Sequence, residues 1–255
     1  MSATTTTTLP DPARAPYALD GLSIVLPCFN EAENLPDAVR MATEAAERCA
    51  LRHEIIIVDD GSTDETIAVA GAMTARDARI RLIVHAENRG QGQALRSGIA
   101  GARLPWVLLI DADLQFDVGE LGAFLAVAES ADVVVGWRIV SQGPVSRRAA
   151  TAVWNGFVRT AFDLPVRDVD CSFRLVRRGL LQYLNLRSSG ALFGVELLVK
   201  SRAAGGRMAE VPVHHRARIA GRQTGGGRRL GAQTLRDLTD LRRPHNDGPA
   251  RPAGA

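Results

Sequence analysis

The sequence predicts an α/β fold with a mainly parallel central sheet flanked by helices, and three observations carry that reading. Short apolar, β-branched runs alternate with helical patterns over the first half of the chain. Polar strings rich in Asp, Asn, Glu and Gly stand directly after successive apolar runs. The 255 residues, 46% hydrophobic and 23% charged, suit a chain that buries one substantial core.

The expected strands are Leu22–Leu26, Glu54–Val58, Ile80–Val84, Trp106–Ile110 and Asp132–Val135. In each, apolar residues are consecutive, as a strand covered on both faces requires. Helical patterns fill the gaps at 34–49, 64–75, 92–102 and 117–129, and Ser62 with Glu65 fits a capping box at the second of them. Strand–helix alternation implies parallel pairing, because parallel neighbours need a crossover. A single domain is expected over 19–243. Residues 1–18 are rich in Thr, Ala and Pro, and 244–255 in Pro and Gly; both tails are expected to be disordered.

Composition excludes several classes. The net charge of +3 is too small to argue for nucleic acid, although 30 Arg against one Lys, Lys200, is compatible with an anionic substrate. Cys28, Cys49 and Cys171 have neither metal spacing nor an even count, which points to a reducing compartment. The N-terminus lacks the basic-then-apolar form of a signal peptide, and no run of 18 apolar residues occurs. A cytoplasmic location is expected, with any membrane contact peripheral.

In parallel α/β sheets ligands bind beyond the carboxyl ends of the strands. Here the first strand ends in Pro27-Cys28-Phe29-Asn30-Glu31 and the second in Asp59-Asp60-Gly61-Ser62. The third leads to Asn88-Arg89-Gly90-Gln91-Gly92 and the fourth to Asp111-Ala112-Asp113-Leu114-Gln115. Such a polar cluster on one sheet edge calls for a ligand or metal to share it. Asp111, Asp113 and the Gln115 amide form an all-oxygen set suited to Mg²⁺ or Mn²⁺, which can neutralise a diphosphate leaving group. Asp59 fits either a helix start or a base and ribose contact, and Glu31 either a helix start or a ligand. Gly90 and Gly92 fit either a tight turn or close backbone approach to a nucleotide. Cys28 fits a buried small residue.

These strings resemble the inverting glycosyltransferases of family 2. The match continues through Asp132-Val-Val-Val-Gly-Trp-Arg138, Asp168-x-x-x-x-Phe-Arg174 and Glu210-Val-Pro-Val213 with Arg216 and Arg218. It spans roughly residues 22–225, and the dolichyl- or polyprenyl-phosphate sugar synthases are the most similar subgroup. The resemblance implies a Rossmann-like nucleotide-diphospho-sugar transferase fold. It also implies that Pro27, Asn30, Glu31 and Asp59 line the base and ribose pocket, with Gly90 approaching the nucleotide, and that Asp111, Asp113 and Gln115 hold metal and diphosphate. Arg138 would face the acceptor anion and Arg218 would close over the phosphates. Asp168 and Glu196 are the carboxylates implied as acceptor base.

The activity implied is inverting transfer of one sugar from GDP-mannose or a UDP-sugar to an acceptor, foremost a polyprenyl phosphate. A phosphate acceptor is already ionised and needs no base, whereas a hydroxyl acceptor needs a positioned carboxylate. The Gln-x-x-Arg-Trp string of processive synthases is absent, which favours single transfer. Two departures bear on the acceptor: Ser172 stands where the family has Gly, and 218–224 lack a Ser followed by a basic residue. The competing readings are a glycosyltransferase with a soluble hydroxyl acceptor, a sugar-nucleotide pyrophosphorylase and a non-catalytic nucleotide-sugar-binding regulator. The pyrophosphorylase would need a Gly-rich basic loop where Pro27–Glu31 stands. The regulator would have shed the metal carboxylates.

Residues 147–162 carry an apolar stripe with Trp154, Phe157 and Phe162, bordered by Arg147, Arg148 and Arg159. This suits either core packing or a membrane-resting helix beside a lipid acceptor. Arg228, Arg229, Arg236, Arg242 and Arg243 are expected on a basic C-terminal helix face. His214 and His215 adjoin an expected edge strand and would face opposite sides.

Overall fold

The computed structural model describes residues 18–139, 145–190, 192–216 and 241. The expected terminal tails, Arg218 and the basic C-terminal helix lie outside the described residues, apart from Ala18 and Leu241.

The first half alternates as its periodicity demands. Strand β1 is Leu22–Cys28, α1 Leu35–Cys49, β2 His53–Asp59, α2 Thr66–Arg76, β3 Ile80–Val84, α3 Gln91–Gly101 and β4 Trp106–Leu109. A short 3-10 turn, Val118–Glu120, leads into α4, Leu121–Ala128, and then β5, Val133–Arg138. The second half holds α5 Val145–Phe162, β6 Arg174–Arg177, α6 Arg178–Tyr183, α7 Phe193–Ala203 and β7 Met208–Val213. Ile55, Ile56, Ile57 and Val58 are all fully buried, which is why that strand shows no alternation.

One seven-stranded sheet runs in the order β3-β2-β1-β4-β6-β5-β7. The chain steps outward from β1 to β2 to β3, then crosses back to β4 on the other side of β1. Right-handed crossovers therefore place α1 and α2 on one face and α3 on the other. The reversal opens a crevice between the ends of β1 and β4, where such folds bind ligands.

The sheet is mixed, because β6 runs antiparallel to both β4 and β5. Sequence periodicity missed β6, which is four residues long with an arginine at each end. Its reversal has a functional consequence. The parallel strands deliver their carboxyl ends to the crevice edge, whereas β6 delivers its amino end, and with it the Asp168–Phe173 loop.

The expected capping box does not form. Helix α2 starts at Thr66 with no side-chain cap from Glu65. The Ser62 hydroxyl instead accepts from the Asn30 amide at 2.9 Å, tying the β1 exit to the β2 exit. Asp64 takes the capping task, accepting from the Thr66 amide at 3.0 Å.

Helix α3 lies so close to β1 that a Cβ on Gly98 would stand 2.2 Å from a methyl of the fully buried Val25. Gly98→Ala is expected to cost about 1–3 kcal/mol through overpacking. Gly156, inside α5 with nothing within 4 Å of an added Cβ, gives the opposite sign. Gly156→Ala is expected to stabilise by about 0.5–1 kcal/mol. Urea unfolding of the two variants checks both, and equal signs would reject the packing account.

Candidate active site

The crevice is assembled from loop residues whose geometry is set by strand ends. Asn30 at the β1 exit holds a left-handed backbone, φ 55°, which asparagine tolerates better than most residues. Its side-chain oxygen accepts from the Thr63 amide at 2.8 Å, so Asn30 fastens the loops after β1 and β2 together. Glu31 is buried and accepts from the Asn34 side chain at 2.6 Å, while its carbonyl accepts from the Leu35 amide at the start of α1. Pro27 is partly buried in β1 beside Val58.

Asp59 is fully buried at the end of β2. One carboxylate oxygen accepts from the Gly61 and Ser62 amides, at 3.2 and 3.0 Å, while Oδ1 has no partner among the described residues. A buried carboxylate oxygen without a donor is costly, and an N–H-bearing base or a ribose hydroxyl would satisfy it. Asp59 takes no part in starting α2, which begins seven residues later and has Asp64 at its cap.

Across the switch point Asp111 and Asp113 follow β4, both partly buried. Asp111 Oδ1 accepts from the Gln91 amide at 2.6 Å, and Asp113 Oδ1 accepts from the Gln115 backbone amide at 3.2 Å. Between them and Gln115, Leu114 has φ 59°, a strained backbone that costs on the order of 1–3 kcal/mol and is kept where the surroundings impose it. The Gln115 side chain is turned to donate to the Arg216 carbonyl at 3.2 Å, and the Gln115 carbonyl accepts from the Arg216 amide. In this arrangement Gln115 tethers the exit of β7.

The local field is negative. Burial first, then the charges of Glu31, Asp59, Asp111 and Asp64, push the Cys28 thiol well above its ordinary value. Cys28 is therefore inert as a nucleophile. Among the described residues no three His, Cys, Asp or Glu side chains form a metal cage. The donor set fits a hard cation that keeps its waters and binds through one or two carboxylates plus substrate phosphates, as Mg²⁺ and Mn²⁺ do.

The glycine loop is clamped by protein. Gly90 has φ 90°, and a Cβ there would lie 2.5 Å from the Ser189 carbonyl oxygen; a Cβ on Gly92 would lie equally close to that of Ser188. The Gly92 amide also donates to the Ser189 carbonyl at 2.8 Å. Both glycines are thus required by the 188–189 backbone, independently of any nucleotide.

Glu196 explains why that backbone stays in place. Its carboxylate is buried, accepts from the Arg187 amide at 2.9 Å and the Ser188 amide at 2.7 Å, and pairs with Lys200 at 2.7 Å. Burial opposes ionisation, but the Lys200 contact and the two amides hold the Glu196 carboxyl below its ordinary range. These contacts argue against Glu196 as acceptor base, since an engaged, acid-shifted carboxylate is a poor proton acceptor.

Asp168 and Arg138 meet. Arg138, at the end of β5, donates from Nε at 2.6 Å and from Nη2 at 2.8 Å to the two oxygens of Asp168. The Asp170 amide adds a 3.2 Å bond to Asp168 Oδ1. Burial would raise the Asp168 carboxyl, yet the Arg138 hydrogen bonds and charge carry it below the ordinary range. Sequence reasoning named both residues but not their pairing. Arg174, which the motif only brushed, is buried at the start of β6, with one N–H on the Val169 carbonyl at 3.0 Å and Nε unpartnered. Burial lowers its affinity for the proton, and the charges around Asp111, Asp168 and Asp170 support it.

Helix α5 divides its apolar stripe between two environments. Trp154 and Val158 are core residues, with the Trp154 indole donating to Asp170 at 3.1 Å, whereas Val153 is 70% and Phe157 48% exposed. Among the described residues no helix is long and apolar enough to cross a membrane.

Known proteins match this chain in sequence and in fold. The family model described as Glycosyl transferase family 2 matches residues 23–184. An uncharacterised glycosyltransferase of Mycobacterium tuberculosis strain H37Rv is 35% identical over 207 residues, covering 80% of this chain and 88% of that protein. The undecaprenyl-phosphate 4-deoxy-4-formamido-L-arabinose transferase of Salmonella choleraesuis is 31% identical over 202 residues, covering 78% of this chain and 61% of its own length. The fold matches the crystal structure of glucosyl-3-phosphoglycerate synthase from Mycobacterium tuberculosis in complex with Mn²⁺, uridine diphosphate and glucosyl-3-phosphoglycerate. That match has a TM-score of 0.63 at 18% identity, over 95% of this chain and 83% of the other. With the family model spanning more than half of the chain, and a relative of matching length at 35% identity, this protein belongs to glycosyl transferase family 2 and is a glycosyltransferase.

Proposed function

We propose that this enzyme transfers one sugar, with inversion, from a nucleoside-diphosphate sugar to a polyprenyl phosphate, using Mg²⁺ or Mn²⁺. The observation that supports the donor half is the buried Asp59 oxygen left without a partner at the end of β2, on the same edge of the sheet as Asp111 and Asp113 after β4. Asp59 binds the base or ribose, and Pro27, Asn30 and Glu31 shape the pocket around it. Asp111 and Asp113 hold the cation, which when bound neutralises the departing diphosphate.

The chemistry of the remaining carboxylates supports an anionic acceptor. Asp168 is committed to Arg138 and Glu196 to Lys200 and two amides, so neither is poised as a base. A phosphate acceptor arrives ionised and needs none. Asp168 orients the Arg138 guanidinium, whose remaining donors attract the phosphate. The exposed Val153 and Phe157 of α5, with the exposed Arg148 and Arg159 on the same helix, suit a lipid surface beside that acceptor. Support for lipid phosphate also comes from the 31%-identical undecaprenyl-phosphate transferase of Salmonella.

The test supplies radiolabelled UDP-glucose and GDP-mannose with Mn²⁺ to three acceptors: undecaprenyl phosphate in detergent, 3-phosphoglycerate, and a sugar alcohol. Label in the lipid phase is the expected result. Label on either soluble acceptor alone would reject the lipid assignment while keeping the transferase. Turnover with no donor in a broad nucleotide-sugar panel, alongside intact nucleotide binding, would favour the regulator instead.

A further inference from the structure

We infer that His85 is a positioning residue of the donor site, acting through Asp60 and the 89–91 loop to seat the Gln91 amide on Asp111. The inference rests on the donor-site reading of Asp111 above. It concerns a buried polar cluster that the proposed chemistry leaves unused.

Asp60 and His85 are both buried, at the ends of β2 and β3. The His85 ring contacts Asp60 Oδ1 through Nδ1 at 2.7 Å and the Ser97 hydroxyl through Nε2 at 2.9 Å. Asp60 also accepts from the Arg89 amide at 3.0 Å and the Gly90 amide at 2.8 Å. Its two oxygens therefore fasten the loop after β3 to the end of β2, while Ser97 fastens the same ring to α3. With the proton on Nδ1, the imidazole donates to Asp60 and accepts from Ser97, so every group in the chain is satisfied.

The atoms have the order of a hydrolytic Asp–His–Ser triad, but the setting does not suit one. Ser97 lies inside α3, where its backbone N–H is spent on the helix, so no oxyanion hole accompanies the hydroxyl. What the cluster controls is the next residue along the loop. Gln91 follows the pinned Gly90 and donates to Asp111 Oδ1 at 2.6 Å. On the far side, Ser189 holds Gly92. Gln91 is thus gripped at both flanks, which fixes the carboxylate that the cation and diphosphate share. Groups that orient a ligating side chain typically matter by about 10–100-fold in metal affinity.

The test measures Mn²⁺-dependent affinity for UDP and GDP by calorimetry on the full chain, with melting curves as the control for folding. His85→Phe and Gln91→Ala are each expected to weaken binding by about tenfold. The double variant is expected to be no weaker than the weaker single one, because both remove the same contact. His85→Asn, which keeps a donor towards Asp60, is expected to recover most of the affinity. Losses that add in the double variant, or a His85→Phe that melts early yet binds normally, would overturn the inference. If His85→Phe does not fold, Ser97→Ala takes its place in the cycle and the same outcomes decide. Wild-type protein that binds neither nucleotide with Mn²⁺ would instead overturn the donor-site reading, and the inference with it.

Discussion

Asp113→Ala is expected to fold normally and to lose Mn²⁺-dependent nucleotide binding by at least about 100-fold, a direct ligand costing more than the outer partners of one. Folding should survive because Asp113 is partly exposed on a loop beyond β4, and the buried core behind it, from Trp106 to Ile110, does not include its side chain. Binding should fail because Asp111 and Asp113 are the two charged members of the proposed cation set, Gln115 being neutral, and removing one leaves a single charge to share the cation with the diphosphate. Calorimetry with UDP and GDP, in Mn²⁺ and then in EDTA, separates the two effects. Unchanged affinity in Mn²⁺ would remove Asp113 from the site. An equal fall in EDTA would show that it binds nucleotide without a metal.

Asp168→Asn should lower both stability and acceptor affinity. The Asp168–Arg138 pair is largely buried, with side-chain exposures of 10% and 18%. Removing one partner of a buried pair leaves an uncompensated charge and costs about 3–5 kcal/mol. The pH dependence has a definite sign. The Asp168 carboxyl is held below its unfolded value, so its contribution is present above roughly pH 4 and disappears as the pH falls through the lower, folded value. The stability gap between wild type and Asp168→Asn should therefore be full at pH 7 and narrow below pH 4, as urea titrations at both pH values would show. A gap independent of pH would mean that shape, and not charge, is what Asp168 contributes. Donor affinity measured on the same variant should change less than acceptor affinity, since Asp168 stands on the β5–β6 side of the crevice.

The first half of the chain was legible because its signals are local. Runs such as Ile55–Val58 declare a doubly covered strand, and the strings after β1, β2 and β4 declare polar strand ends without knowledge of their neighbours. β6 escaped because Arg174-Leu-Val-Arg177 has neither length nor apolar ends, and its buried arginine contradicts the usual preference for exposure. Along the chain Gly90 fits either a tight turn or close approach to a nucleotide, and the Ser189 carbonyl that a Cβ there would meet belongs to a segment far away in sequence. The family resemblance implies Glu196 as an acceptor base. Only the approach of the Arg187 and Ser188 amides and Lys200 shows that its charge is already committed.

The α/β class and the strand-end carboxylates are legible along the chain, because periodicity and motif spacing are properties of sequence neighbours. The family follows from the resemblance of the motif strings, which the family model bears out. Which of those carboxylates are already spent on protein partners is set by contacts made in three dimensions. Asp59 is left with an oxygen unpaired, Asp168 is closed by Arg138, and Asp60 is joined to His85 and Ser97. Proton affinity and ligand binding depend on what stands within a hydrogen bond of each oxygen, and the order of strands in the sheet, with β6 reversed, sets those neighbours.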